Sequence, residues 1–373
     1  MLKDVCDINM GQSPDSSSYN DDGNGLPFFQ GNADFGERYP VTRKWCSVPT
    51  KIAKPEDILI SVRAPIGALN YAREKCCIGR GLAALTPDKS KVSPEFIFWL
   101  LKAKNIELNN KGTGSTFKAI GRNVLEETQV PNVPLTVQLE YSQVLERIYA
   151  IIQSRKMQLQ KLDNLVKARF VELFGAYPHN PMGWKTGTIR DVVTDVRYGS
   201  SRPAVDGGKY PYLRMNNITY GGELDLSDVK RIDVPENELE KCTVRRGDVL
   251  FNRTNSKELV GKTCVYDRDE MMVLAGFVIR VRVNDVVLPE FLSAFLNTDF
   301  SKRTLLGMCK AAIGQANINA QEMQNIGIYI PPIELQREFV QFKNQTDKSK
   351  SIIQKALNKV QLLFDSLMQN YFG

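Results

Sequence analysis

At 373 residues the chain exceeds one ordinary domain and is long enough for two well-formed hydrophobic cores. Its 49 Lys and Arg against 42 Asp and Glu leave a net charge of +7, which permits a nucleic-acid partner without demanding one. No stretch resembles a signal peptide or an apolar run of membrane-spanning length, and seven scattered cysteines do not make a disulfide framework. A reduced cytoplasm is the expected compartment.

Residues 1–134 mix short β-type runs with turn signals. A short apolar opening leads into a polar loop rich in Gly, Ser and Asp that contains Gly11-Gln12-Ser13-Pro14. The run Ile58 to Val62 reads as a buried strand and Cys77 to Leu85 as another, split by Gly79-Arg80-Gly81. Pro94 to Ala103 has a Pro start and helical apolar spacing. A polar Gly/Thr/Ser loop follows, and then Pro134 introduces a run without Pro or Gly that ends at Phe174.

That run predicts one long helix. Leu145, Ile152, Leu159, Val166 and Leu173 share one heptad position, Ile148, Arg155, Leu162 and Arg169 the facing one, and Val144, Ile151 and Leu165 widen the stripe. From Leu139 the helix would be roughly 55 Å long, more than a small domain needs, so its seam calls for another helix. Leu335 to Phe372 supplies a second such run, with Ile353, Leu357, Val360, Phe364 and Leu367 on its apolar side. Both runs end in Phe-Gly, 198 residues apart.

The offset exposes an internal repeat. LKDV at Leu2 is matched by IRDV at Ile189, EDILIS at Glu56 by GDVLFN at Gly247, PEFIFWLL at Pro94 by PEFLSAFL at Pro289, and Pro134 with Gln138 by Pro332 with Gln336. The predicted fold is therefore α+β: two similar globular α/β domains separated by two long antiparallel, coiled-coil-like helices about an approximate two-fold axis. The expected boundaries are a first domain at 1–134, a spacer helix at 135–175, a linker and second domain at 176–332 and a second spacer helix at 333–373.

Enzymatic readings fare poorly. The single histidine, His179, sits in a Pro-containing linker, so a Ser-His-Asp or Cys-His system has no starting point. Cys76 and Cys77 are adjacent and lack the spacing of a zinc or redox pair, and no metal site is expected. Gly261-Lys262-Thr263 has the tail of a phosphate loop, but Ser256 stands where its first glycine is needed. Neither an adenine-methylation motif of the Asp/Asn-Pro-Pro-aromatic type nor a convincing glycine loop for S-adenosylmethionine occurs.

The domains do carry polar loops rich in side chains that read bases or hold phosphates. In the first domain the candidate DNA contacts are Gln12, Ser13, Asn32, Arg63, Arg80, Thr113, Ser115 and Lys118. In the second they are Ser201, Arg202, Arg214, Asn216, Asn252, Arg253, Thr254, Lys257, Lys262, Lys310, Gln315 and Asn317. Arg can offer guanine two donors at the spacing of its acceptors, and Asn or Gln can do the equivalent for adenine; Lys, Ser and Thr more often touch phosphate.

In the order of these elements the chain resembles the specificity subunit of a Type I restriction-modification system. The resemblance rests on Gly11-Gln12-Ser13-Pro14, the paired EDIL and GDVL runs, Asn252-Arg253-Thr254-Asn255-Ser256 with Leu259-Val260-Gly261-Lys262, Gly314-Gln315-Ala316-Asn317-Ile318, and the two Phe-Gly helix ends. It departs at Thr116-Phe117-Lys118, where a Gln-containing loop is usual, and in the polar stretch from Lys343. The resemblance implies two target recognition domains that each read half of a split double-stranded DNA sequence, with the helices setting the gap and docking two modification subunits. It also implies that S-adenosylmethionine, ATP and Mg belong to modification and restriction subunits, with no cofactor on this chain. The competing reading is a coiled-coil scaffold whose two domains bind protein or sugar.

Overall fold

The computed structural model describes residues 1–114, 118–309 and 316–373. They form two compact units, Met1–Lys156 with Lys355–Gly373, and Met157–Gln354. The division falls within both long helices, so each unit holds an α/β body and one stretch of each helix.

In the first unit a four-stranded antiparallel sheet runs in the order Cys6–Met10, Leu82–Pro87, Ile58–Ser61, Leu69–Tyr71. In the second, Val193–Tyr198, Val278–Val283, Val249–Asn252 and Thr263–Val265 repeat that order and sense. Each unit adds a second sheet containing one parallel pair, Leu26–Phe29 with Cys76–Ile78 and Tyr210–Leu213 with Met272–Leu274. An antiparallel neighbour flanks each, Ile52–Ala53 and Thr243–Val244.

The matched EDIL and GDVL runs have a physical cause. Each opens its central strand from a turn whose third residue has positive φ, Glu56 at 70° and Gly247 at 90°. The buried aspartate that follows accepts a backbone N–H from three residues earlier: Asp57 from Lys54 at 2.7 Å, Asp248 from Arg245 at 2.9 Å. The other oxygen binds a neighbouring strand, Thr86 in one case and Arg282 in the other. Such bonds offset the burial of a carboxylate.

Helices Pro94–Ala103 and Pro289–Leu296 fall where the Pro starts predict them. Each is tied to the start of a long helix by a buried glutamine. Gln138 Oε1 accepts the Ser93 N–H at 2.9 Å, and Gln336 Oε1 accepts the Leu288 N–H at 2.8 Å, which explains the matched Pro and Gln positions.

The long helices, Leu135–Phe174 and Ile333–Phe372, have 40 residues each. Within the first unit Tyr141 stacks on Tyr371 at 3.7 Å, and Trp99 meets both Tyr149 and Phe364. Within the second, Asp163 pairs with Lys350 and Phe170 packs on Phe339. In both units the helical stretches thus run antiparallel. Leu145, Ile152, Leu357 and Phe364 are buried, while Ile148, Leu159, Leu162, Val166, Leu173, Ile353, Val360 and Leu367 are half-buried. Of the residues that widen the stripe, Ile151 and Leu165 are exposed and Val144 is half-buried.

Candidate nucleic-acid interface

The polar loops of each unit are held at one end of its main sheet by a lattice of backbone hydrogen bonds, and four bonds of one lattice recur at the equivalent positions of the other. In the first unit Gly11 donates to Leu82 O, Gln12 to Ile78 O, Val62 to Gly81 O and Ile120 to Val62 O. In the second unit Gly199 donates to Val278 O, Ser200 to Leu274 O, Arg253 to Phe277 O and Ile318 to Arg253 O. The bridge between Arg63 and Ala119 has its counterpart in that between Thr254 and Asn317. Glycine stands at the head of both lattices because the backbones approach too closely for a side chain. A Cβ would lie 2.2 Å from Gly79 O in one and 2.1 Å from Leu274 O in the other.

On this shared frame the side chains differ. In the first unit Ser13 bonds both Gln30 and the Arg80 N–H, which gathers Gln12, Ser13, Gln30 and Arg80 at one edge. The Val62 and Ile120 bonds continue that edge to Arg63, Thr113 and Lys118. Gln12, Arg63, Arg80, Thr113 and Lys118 are exposed, and Asn32 is half-buried in a short 3-10 turn. Ser115 lies outside the described residues, as do Lys310 and Gln315 of the second unit.

In the second unit the lattice brings together Arg253, Thr254 and Asn317, with Ser201 and Arg202 following Ser200. Ser201, Asn216, Lys257 and Asn317 are exposed. Arg202 forms a two-pronged pair with Glu238, and Arg214 pairs with Asp228 at 2.8 Å, so each would have to exchange a carboxylate for a phosphate or a base. Arg63, Arg80, Lys118, Arg253 and Lys257 form no ion pair among the described residues.

The structure corrects three of the candidate contacts. Asn252 is fully buried, its amide donating to Thr254 O and Phe277 O. Lys262 is 6% exposed and its Nζ donates to Met215 O at 2.9 Å; burial lowers its pKa from the ordinary lysine value. Thr254 is buried against Asn317. These side chains brace the loops and present nothing to a ligand in this conformation. The same environment disposes of the phosphate-loop likeness, since Gly261-Lys262-Thr263 enters a buried strand.

Sequence reasoning missed two neighbours of Arg253. Tyr198 and Phe277 are exposed aromatics beside it, occupying the lattice positions of Met10 and Gly81. Aligning Met10-Gly11 with Tyr198-Gly199 would have exposed the first. His179 is an exposed linker residue, and no group of His, Cys, Asp and Glu among the described residues could hold a metal ion. Among the described residues no helix is long and apolar enough to cross a membrane.

A duplicated α+β frame that presents unlike polar loops from matching positions defines a two-module recognition protein. The chain belongs to the type I restriction modification DNA specificity family, whose domain model matches residues 1–164 and 181–362. Over 160 residues it is 42% identical to the specificity subunit described for the type I restriction enzyme MjaX of Methanocaldococcus jannaschii; that match covers 43% of this chain and only 38% of the relative. Against the EcoKI specificity subunit of Escherichia coli K12 it is 23% identical over 340 residues, covering 85% of this chain and 73% of the relative. In fold it is similar to the crystal structure of the S subunit from M. genitalium, with a TM-score of 0.59 at 13% identity over 100% of this chain and 95% of that one. Its relatives are named as specificity subunits of type I restriction enzymes, in keeping with the DNA specificity domain that the family model describes.

Proposed function

We propose that this chain reads a split double-stranded DNA target, one half per repeat, and directs two modification subunits, and through them restriction subunits, to that target. The observation that carries the reading is the matched hydrogen-bond lattice bearing unmatched side chains: a common frame holds both loop sets in place, and the difference between the sets would give each half-site its own sequence. Free cations on those loops, Arg63, Arg80 and Lys118 in one repeat and Arg253 and Lys257 in the other, supply phosphate attraction and guanine readout.

In this reading residues 1–134 and 176–332 are the recognition domains, while helices 135–175 and 333–373 space them. Ile151, Leu165, Ile352, Leu362 and Leu363 remain exposed along the helices and offer apolar surface for modification subunits to pack against. S-adenosylmethionine, ATP and Mg would be bound by those partners, and the assembly would work in the cytoplasm.

The test is to co-express the chain with its modification subunits and map methylated adenines by sequencing. A two-part motif with a fixed unread gap, absent without this chain, is expected. Methylation at one continuous motif, or without sequence preference, would refute the reading.

A further inference from the structure

We infer that Tyr198 is a positioning residue that holds Arg253 for base readout, so that the second repeat reads part of its half-site through a cation–aromatic pair at lattice positions where the first repeat has Met10 and Val62. The inference rests on the DNA-reading function proposed above.

The guanidinium carbon of Arg253 lies 4.9 Å from the centre of the Tyr198 ring. Both partners are anchored. Tyr198 ends a strand in register with Ile279, and its hydroxyl accepts the Ala320 N–H at 2.9 Å, at the first turn of helix Ala320–Gln324. Arg253 is fixed through its backbone, donating to Phe277 O and accepting from Ile318 N–H. Its side chain has no ion pair, and its Nε is buried without a hydrogen-bond partner among the described residues. A ring beside a guanidinium accepts no hydrogen bond from its terminal N–H donors, and those are the groups that meet the two acceptors of a guanine edge. The ring also removes rotamer freedom before DNA arrives, so less is lost on binding.

The first repeat shows that the frame does not require this pair. At the equivalent lattice positions it has Met10, in register with Ala83, and Val62, which is 3% exposed. An apolar pair suffices to build the loop, so the cation and the aromatic ring in the second repeat are there for another purpose.

The experiment uses the chain in complex with its modification subunits and compares the wild type with Tyr198→Phe, Tyr198→Ala, Arg253→Ala, Arg253→Lys and the Tyr198→Ala/Arg253→Ala double variant. The readouts are position-by-position degeneracy of the methylated motif and competition binding between matched and mismatched duplexes. Arg253→Ala is expected to lower discrimination about tenfold at one or two positions of one half-site. Tyr198→Ala should relax those same positions several-fold, with the double variant no worse than Arg253→Ala alone. Tyr198→Phe, which keeps the ring, should stay within about twofold of the wild type, and Arg253→Lys, which keeps the charge and loses the planar fork, should behave like Arg253→Ala. A two-part wild-type motif that Tyr198→Ala leaves unchanged, that it alters at other positions, or that Arg253→Lys preserves would overturn this inference and leave the two-half reading standing. A wild-type motif without two parts would remove both.

Discussion

Replacing Gln336 with Leu tests how each body is locked to its long helix. The glutamine is fully buried; it accepts the Leu288 N–H at 2.8 Å and donates to Pro331 O at 2.8 Å and Val286 O at 3.0 Å. Leucine fills nearly the same volume, so no cavity opens and the loss is polar. A buried N–H left without an acceptor costs about 1–3 kcal/mol, and each carbonyl that loses its donor adds about 0.5–1.5 kcal/mol. Set against the better burial of leucine, the variant should be about 2–4 kcal/mol less stable. Gln138→Leu breaks only the bonds to Ser93 and Val133, and should cost less, about 1–3 kcal/mol. Urea unfolding of the full chain gives the magnitudes, and hydrogen exchange at the Leu288 and Ser93 amides places them. A loss below about 0.5 kcal/mol for Gln336→Leu, with Leu288 still protected, would refute the reasoning.

Two further outcomes are expected. Burial lowers Lys302 to about 8, with the cations Lys262 and Lys167 adding to the effect. The unfolded chain therefore holds more protons between about pH 8 and 10.5, and this group makes stability rise with pH across that window, by at most about 1.4 kcal/mol per pH unit. Lys302→Met should flatten that part of the profile relative to wild type in unfolding titrations; an unchanged difference curve would show the ammonium to be solvated. On DNA, Lys118→Ala or Lys257→Ala, each removing an exposed unpaired cation, should weaken binding to all sequences alike and reduce the logarithmic salt slope by about 0.9. Binding titrations at several salt concentrations decide it, and a sequence-selective loss would point to base contact instead.

Much of this architecture is legible in the residues because local signals and tertiary roles coincide. The 40-residue helices lack Pro and Gly, Pro94 and Pro289 open helices, and the repeated EDIL and GDVL runs mark a turn and a buried aspartate that a fold needs twice. The second sheet of each unit is not legible, since its parallel pair joins strands of three or four residues far apart in the chain. Nor does residue type reveal whether a polar side chain serves a ligand or the backbone. Asn252 and Lys262 have the chemistry of DNA contacts and spend it on carbonyl groups, whereas Tyr198 carries no polar-loop signature and stands beside the one arginine whose lattice position is a valine in the other repeat.

The central claim, that two modules read and the helices measure, is tested most directly by inserting one helical turn into the middle of Leu135–Phe174 and sequencing the methylated sites of the resulting complex. A longer unread gap between two unchanged half-sequences is the predicted result; an altered half-sequence with the gap unchanged would contradict it.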